Sequence, residues 1–382
     1  MYRGDCWQIN LQEGFGGGEV YTGFLTKALQ SLGVRSHLFV SRKATHWLSL
    51  LPVDTKIIPV DNHKQIVAEL PRRSVWVLSH GGVPSGVAKQ IAQAHQLTGI
   101  AHMPLYGRSP EGFARHHQVY AVSAYVRDSL RDFLRPEQIY ETPLYGVART
   151  DIDVASTTDA ILSRRSRYDW DTRKGRDRLL GWIEPWVEPL LPHPVWDRKP
   201  GVTLGIVSRL TPIKQFPLFF SLLVPHLLKF PDINLEIAGA GGFASVRDLS
   251  RVLQPLGSRV RFWGHQHDVR STYRKLDYLL TGLPEKEALG LNVIEAQACG
   301  TPVLAVKAPP FTETVLEGKT GFLYRDPRQD NGAAFSSLME RVATLRQPLA
   351  PSEVHEHLAR FSFAAFVDRL SPVVSTALNR LQ

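Results

Sequence analysis

Short apolar runs alternate with amphipathic helical patterns along nearly the whole chain of 382 residues. This alternation predicts parallel strands, because parallel neighbours must be joined by crossovers long enough to hold a helix. The sequence therefore predicts an α/β fold. The predicted strands are 6–11, 36–41, 56–60, 74–80, 99–104, 118–123, 139–144, 202–209, 234–239, 259–264, 278–282 and 302–307.

The clearest predicted helix follows Gly18. Its apolar residues recur at helical spacing before Gly33 ends the pattern: Val20, Phe24, Ala28, Leu29 and Leu32. This spacing predicts an amphipathic helix with these residues on one face.

The length of the chain predicts two domains, because a single core rarely grows to this size. Prolines crowd the zone between the two series of strands, and this composition suits a linker. We expect a first domain at 1–184, which includes an Arg-rich segment at 149–184. A linker at 185–200 and a second domain at 201–360 follow.

The formal net charge is +9 and the sequence pI is about 9.6. Such a charge favours anionic partners, although a solvated basic face is the alternative. The two cysteines, Cys6 and Cys299, cannot build a disulfide framework. The chain has neither a run of eighteen apolar residues nor a secretory pattern at its start, so we expect a cytoplasmic protein.

Two glycine-rich turns fit the start of a helix that binds an anion. Residues 290–292 precede a helical run, and Gly16, Gly17 and Gly18 follow the predicted strand 6–11. Main-chain amides at a helix start lack acceptors within the helix and bind phosphate readily. We expect a diphosphate at Leu291 and Asn292. Gly17 and Gly18 are further candidates, although an ordinary strand-to-helix turn explains them as well.

Cations and carboxylates accompany the second turn. Arg209 and Lys214 lie at the carboxyl end of predicted strand 202–209, where open α/β sheets bind ligands. Glu287 and Glu295 flank the glycine turn, and an ionised carboxylate can hold two neighbouring hydroxyl groups. Two surface glutamates at a helix end are the alternative, because negative charge is favoured there anyway.

The stretch Glu287-Ala-Leu-Gly-Leu-Asn-Val-Ile-Glu295 resembles the paired-glutamate signature of family-four retaining glycosyltransferases with the GT-B fold. The likeness extends to Ser208-Arg209-Leu210 with Lys214. It covers most of 6–145 and 200–345, and its other matching segments are 16–18, 121–130, 235–242 and 317–324.

The resemblance implies two Rossmann-like α/β domains facing each other across a cleft, with a last helix at 361–382 that returns to the first domain. It implies transfer of a sugar from a nucleotide-diphosphate sugar to a glycan, lipid-linked or lipopolysaccharide acceptor. A UDP-sugar is favoured as donor, and GDP-mannose is also used in the family. The nucleotide sugar would be a co-substrate, and neither a metal nor another cofactor is expected.

The resemblance also assigns roles to single residues. Glu287 would hold hydroxyls of the donor sugar, and Glu295 would hold the ribose. His102 would lie near the reacting sugar, and His80 is a second candidate; a structural role is the alternative for each histidine. The expected donor-diphosphate residues are Gly17, Gly18, Arg209, Lys214, Leu291 and Asn292.

Other classes remain open at this point. A sugar-nucleotide epimerase or a phosphorylase can share the architecture. A polyanion-binding module would explain the charge, but the sequence has no helix-turn-helix, aromatic ribonucleoprotein or zinc pattern, and nucleic acid is not an expected partner. A dinucleotide oxidoreductase is disfavoured because 239–242 lacks the third glycine of that fingerprint. His265 and His267 lack a third metal ligand nearby in sequence.

The Arg-rich segment has two interpretations. Its arginines, together with Trp182 and Trp186, could contact an anionic membrane surface, with the aromatic rings at headgroup depth. A solvated excursion between domains is the alternative. The arginines are Arg164, Arg165, Arg167, Arg173, Arg176 and Arg178.

Overall fold

The computed structural model of the chain describes residues 3–148, 163, 165–170, 175–187, 195–266, 268–284, 287–345 and 349–381. The chain divides into two compact units. The first comprises Met1–Ala148 and Ala359–Gln382, and the second comprises Arg149–Leu358.

The first unit is built on a six-stranded sheet in the order β3-β2-β1-β4-β5-β6, in which every pairing is parallel. Its strands are β1 Gly4–Asn10, β2 Val34–Ser41, β3 Lys56–Val60, β4 Trp76–Ser79, β5 Gln96–Ala101 and β6 Gln118–Ala121. Its helices are α1 Gly17–Ser31, α2 His63–Glu69, α3 Ser85–Ala94, α4 Ala124–Leu130 and α14 Phe363–Asn379. The last helix packs on α1, where Phe366 lies 5.0 Å from Phe24 between ring centroids.

The second unit contains another all-parallel sheet of six strands, in the order β12-β11-β10-β7-β8-β9. Its strands are β7 Val202–Val207, β8 Ile233–Ala238, β9 Val260–Gly264, β10 Tyr278–Leu280, β11 Val303–Val306 and β12 Gly321–Tyr324. Its helices are α5 Gly175–Val187, α6 Phe216–Leu227, α7 Phe243–Leu253, α8 Val269–Arg274, α9 Leu291–Ala298, α10 Phe311–Thr314, α11 Pro327–Asp330, α12 Ala333–Thr344 and α13 His355–Ala359. The predicted α/β class is therefore confirmed.

Two details of the predicted elements are wrong. Residues 139–144 do not form a strand; Ile139 makes only an isolated bridge with Val119, because Pro143 lacks the amide that a ladder needs. The buried face of α1 also differs from the expected one near its start, although Ala28 and Leu29 are fully buried as predicted. Val20 is 37% exposed, whereas Tyr21 is 3% exposed and donates a hydrogen bond from its hydroxyl to the carbonyl of Leu144.

The boundary between the units differs from the expected one at 184. The second unit begins at Arg149, and the Arg-rich segment pairs with strand β9 and with the loop after β8. The amide of Arg165 donates to the carbonyl of Trp263 at 2.9 Å, and the amide of Asp169 donates to that of Gly241 at 2.8 Å. Within the expected linker, 185–187 end α5 and 188–194 lie outside the described residues. Arg164 and Arg173 lie outside them too.

Each sheet buries its strands between helices, as expected for parallel sheets. The second core joins the strands to α6, where Phe219, Phe220 and Leu223 are fully buried. Such cores fix the strand ends rigidly and so position the loops that follow them. None of the helices in the described part of the chain has the length and hydrophobicity needed to span a membrane.

Candidate functional site

The order of strands in the second sheet reverses between β7 and β10, and ligands of open α/β sheets bind at the carboxyl ends of strands at such a point. A hollow lies there. It is lined by Ser208 after β7, by Thr281 and Gly282 after β10, and by side chains from three other segments, Lys214, Glu287 and Asn292. We refer to it as the switch-point hollow.

Backbone packing holds the loop that follows β7. The amide of Ser208 donates to the carbonyl of Ala238, and the amide of Leu210 donates to that of Ala240. Gly239 has φ +149°, and a Cβ atom at this position would lie 1.8 Å from the carbonyl oxygen of Ser208. Only glycine allows this approach. The loop that carries Arg209 is therefore held in place by hydrogen bonds and close packing with the loop after β8.

Lys214 and Glu287 meet in the switch-point hollow. The Lys214 ammonium contacts the Glu287 carboxylate, and the two side chains are 24% and 18% exposed. Burial, and then the charge of nearby Arg209, lower the pKa of Lys214 to about 8. The carboxylate opposes this shift by favouring the charged ammonium, so we take Lys214 as protonated at neutral pH.

Helix α9 begins at the edge of the same hollow. Its N-cap, Gly290, has the left-handed φ of +77° that favours glycine. The amides of Val293 and Ile294 turn back to the Gly290 carbonyl, so Leu291 and Asn292 carry the first amides of the helix. The Asn292 side chain donates to the carbonyl of Val207 at 3.2 Å, which ties this helix start to the end of β7.

Glu295 lies one turn further along α9 and is half-buried. It accepts a hydrogen bond from the hydroxyl of the buried Tyr273 at 3.3 Å. Burial and the Glu295 charge raise the pKa of Tyr273, so its hydroxyl keeps its proton and can hold the carboxylate in place.

In the first unit, His102 follows β5 and lies beside His80, which follows β4. The Nδ1 atom of His80 is 3.3 Å from the Nε2 atom of His102, and its Nε2 atom is 2.9 Å from Oε1 of Gln8. A carboxamide oxygen only accepts, so His80 Nε2 carries the hydrogen and His80 Nδ1 is an acceptor within reach of both His102 Nε2 and the Thr22 hydroxyl.

Both histidines are uncharged near neutral pH. Burial lowers the pKa of His102 to about 4, and burial together with His102 lowers that of His80 well below its ordinary value. The Thr22 hydroxyl lies 3.1 Å from His80 Nδ1 and 2.9 Å from the carbonyl oxygen of Gly18, and its one hydrogen serves a single acceptor at a time. The network therefore reaches the start of α1, where a Cβ atom at Gly17 or Gly18 would meet open space.

The structure thus brings five predicted residues around one strand edge of the second unit and places the other predicted residues outside this group. Gly17, Gly18 and His102 belong to the first unit, and Glu295 lies on α9 beyond the hollow. The five are Arg209, Lys214, Glu287, Leu291 and Asn292, with Arg209 in the loop after β7.

Sequence reasoning missed the residues that orient these groups. Gln8, Thr22 and Tyr273 are ordinary core polar residues in the sequence, and only their tertiary contacts show a role. The glycine at 239 carried a usable signal, because a glycine directly after a predicted strand often marks a close backbone approach.

Comparison with known proteins agrees with this architecture. Residues 201–343 match the family model described as Glycosyl transferases group 1. A D-inositol 3-phosphate glycosyltransferase of Stackebrandtia nassauensis is 32% identical over 333 residues, which cover 81% of this chain and 67% of that relative. One from Mycolicibacterium smegmatis is 33% identical over 185 residues, which cover 46% of this chain and only 40% of that relative.

A solved structure shares the fold over nearly the whole chain. Anabaena HepE in complex with UDP superimposes with a TM-score of 0.69 at 17% identity, over 97% of this chain and 100% of that one. The predicted GT-B fold is therefore confirmed. The Stackebrandtia relative matches most of this chain, and both six-stranded sheets of this chain are parallel. The chain therefore belongs to the glycosyl transferases of group 1.

Proposed function

We propose that this protein transfers a sugar from a nucleoside diphosphate sugar to an acceptor hydroxyl. The observation that carries the proposal is the convergence of Lys214, Glu287 and the start of α9 on the switch-point hollow. This set offers a cation and main-chain amides to a diphosphate and a carboxylate to sugar hydroxyls. A UDP-sugar is the favoured donor, in keeping with the UDP bound to the HepE structure.

The proposed chemistry needs stabilisation of negative charge on the leaving group. The bond between the anomeric carbon and the phosphate oxygen breaks, and the departing diphosphate gains charge beside Arg209, Lys214 and the amides of Leu291 and Asn292. Lys214 is held by its contact with Glu287, and the two amides are held at the start of α9, so these groups need little rearrangement as the charge develops. This arrangement supports a reaction without a divalent metal.

Glu287 is proposed to orient the sugar ring by accepting hydrogen bonds from its hydroxyls. The new glycosidic bond forms on the face that the diphosphate leaves, and the acceptor proton passes to the departing phosphate oxygen. The anomeric configuration is then retained. Glu295, held by Tyr273, would accept from the ribose hydroxyls. The roles of Gly17, Gly18 and His102 stay predictions from the family resemblance.

The acceptor is proposed to be a glycan or lipid-linked hydroxyl on the cytoplasmic side of a membrane. The Stackebrandtia and Mycolicibacterium relatives are named for D-inositol 3-phosphate, so this compound belongs among the acceptors to be tried.

The test is product analysis with a panel of donors and acceptors. The chain is incubated with UDP-sugars or GDP-mannose, with each acceptor, and with or without a metal chelator. The proposal expects a new glycoside whose anomeric coupling in proton NMR equals that of the donor, at the same rate with chelator. A changed sugar on the nucleotide would indicate an epimerase, and a sugar phosphate product would indicate a phosphorylase. A glycoside of inverted configuration would contradict the retaining mechanism.

A further inference from the structure

Helix α5 is fixed to the second unit by one face. Glu184 accepts hydrogen bonds from the Ser166 hydroxyl and from Nε1 of Trp170, both at 2.5 Å. Gly181 lies against the Trp170 ring, and a Cβ atom there would lie 3.1 Å from its Cδ1 atom. Asp177 is 2% exposed. The helix is therefore packed on this side.

The segment that precedes the helix is also held. Besides the two main-chain bonds from Arg165 and Asp169, the amide of Gly241 donates to the carbonyl of Arg167 at 3.1 Å. The rings of Tyr168 and Trp170 lie 5.7 Å and 6.4 Å from the Phe243 ring, measured between centroids. These contacts exclude a freely solvated excursion for 165–170, and they give α5 a fixed orientation on its unit.

The opposite face of α5 presents large apolar side chains to solvent. Leu179, Trp182 and Trp186 are 56%, 69% and 73% exposed. Their spacing of three and four residues places them on a single stripe of the helix. Two exposed tryptophans one turn apart are unusual on a protein surface without a partner, because each leaves a large apolar area in water.

The exposed charged side chains within α5 are all positive. Both acidic residues within α5, Asp177 and Glu184, are turned towards the protein, whereas Arg178 is exposed. The Arg176 side chain is 59% exposed at the beginning of the helix. Arg173 and Lys174 directly precede the helix in sequence, and the whole chain carries +9. A surface of tryptophan, leucine and arginine is complementary to an apolar layer covered by negative charge.

We propose that the outer face of α5 is a docking surface for an anionic lipid bilayer. Tryptophan rings favour the boundary between headgroups and acyl chains, and arginines near them attract anionic headgroups. This inference extends the proposed function, because a lipid-linked acceptor would be met at such a surface. It stands on contacts of the second unit alone and requires no donor, so it can fail while the transferase proposal holds.

The experiment is co-sedimentation of the full chain with two kinds of vesicle, without nucleotide sugar. One contains phosphatidylcholine only, and the other contains phosphatidylcholine with phosphatidylglycerol. We expect binding to the anionic vesicles that weakens as salt is raised. Trp182→Ala with Trp186→Ala should weaken that binding at least about tenfold, because the inserted apolar area is lost. Arg178→Glu should weaken it at low salt.

Leu48→Ala is the matched control, because Leu48 is 84% exposed on the first unit. It should bind vesicles like the unchanged chain. All variants should keep their unfolding temperature and their transfer to a soluble acceptor, since exposed side chains contribute little to stability. Equal binding to both vesicle types, or unchanged binding by the double tryptophan variant, would overturn the proposal. Binding of the tryptophan face to soluble oligosaccharides without vesicle binding would overturn it as well.

Discussion

The ammonium of Lys214 contacts the carboxylate of Glu287, although the two residues lie 73 positions apart in the chain. Lys214 ends the turn after β7, and Glu287 precedes α9, so the contact bridges the two sides of the switch-point hollow. A bound diphosphate would compete for the same ammonium. Glu287 would then be released to accept from sugar hydroxyls, so donor binding would exchange one ion pair for two ligand contacts.

Replacing Glu287 tests its proposed role in orienting the sugar. Glu287→Gln keeps the size of the side chain but weakens the acceptor, and we expect turnover to fall about 100-fold or more. The affinity for UDP alone should not fall, because Lys214 loses its competing partner. Steady-state kinetics and calorimetric titration with UDP give the two quantities.

Glu340→Gln provides the control for that variant, because Glu340 is exposed on α12. It should leave both kinetics and UDP affinity unchanged. Near-normal turnover of Glu287→Gln would show that this carboxylate does not serve the reaction.

The affinity for UDP should depend on pH through Lys214. Its pKa is lowered to about 8, so the free protein loses the proton from this ammonium as pH rises through that value. The diphosphate binds the protonated form, and raising the pH from about 7 to about 9 should weaken UDP binding by up to about tenfold. Calorimetric titration across this range measures the effect.

Lys214→Arg separates this effect from other pH changes. A guanidinium stays charged throughout the range, so the variant should bind UDP with nearly constant affinity. An equally steep loss of affinity in the arginine variant would mean that another group titrates.

Acid should destabilise the first unit through its buried histidines. Burial lowers the pKa of His102 to about 4 and that of His116 to about 4, so the folded protein holds them uncharged where the unfolded chain takes up protons. The unfolding free energy should therefore fall as pH decreases from about 6.5 towards 4, and these groups should add no pH dependence above that window. Denaturant unfolding at several pH values measures it, and His116→Gln should show a shallower fall. An unchanged slope in that variant would contradict the assignment to His116.

Gly239→Ala should be strongly destabilising. The new Cβ atom would lie 1.8 Å from the carbonyl oxygen of Ser208 at a φ of +149°, so the loop after β7 must move. We expect a loss of about 3 kcal/mol or more in the free energy of unfolding. Gly242→Ala is the matched control in the same loop, because its Cβ would meet nothing within 4 Å. Equal stability of the two variants would show that the loops after β7 and β8 are not closely packed at Gly239.

The local pattern of apolar and polar residues predicted most of the fold, because buried parallel strands appear in a sequence as short apolar runs between helical segments. It failed at 139–144, where only an isolated bridge with Val119 forms, and at Val20 on α1, a helix that contacts α14. It also placed the Arg-rich segment in the first unit. That segment pairs with residues of β9 and of the loops after β8 and β9, which lie about 70 to 100 positions away in the chain. A local sequence pattern cannot predict contacts over such a separation.

Part of the candidate site could likewise be predicted from the sequence. Arg209 and Lys214 were candidates because they follow a predicted strand end, and Glu287 was singled out by its resemblance to the paired-glutamate signature. Three contacts depend on which strands are neighbours in the sheets. They are the contact between Lys214 and Glu287, the hydrogen bond from Tyr273 to Glu295 and the contacts of the two histidines. The sequence alone does not specify that order.

The most direct test of the donor site is a crystal structure of the chain bound to UDP. We expect the diphosphate in the switch-point hollow, with Lys214 and the amides of Leu291 and Asn292 within hydrogen-bonding distance and Glu287 no longer paired with Lys214. UDP bound elsewhere, with the ion pair between Lys214 and Glu287 intact, would contradict this expectation.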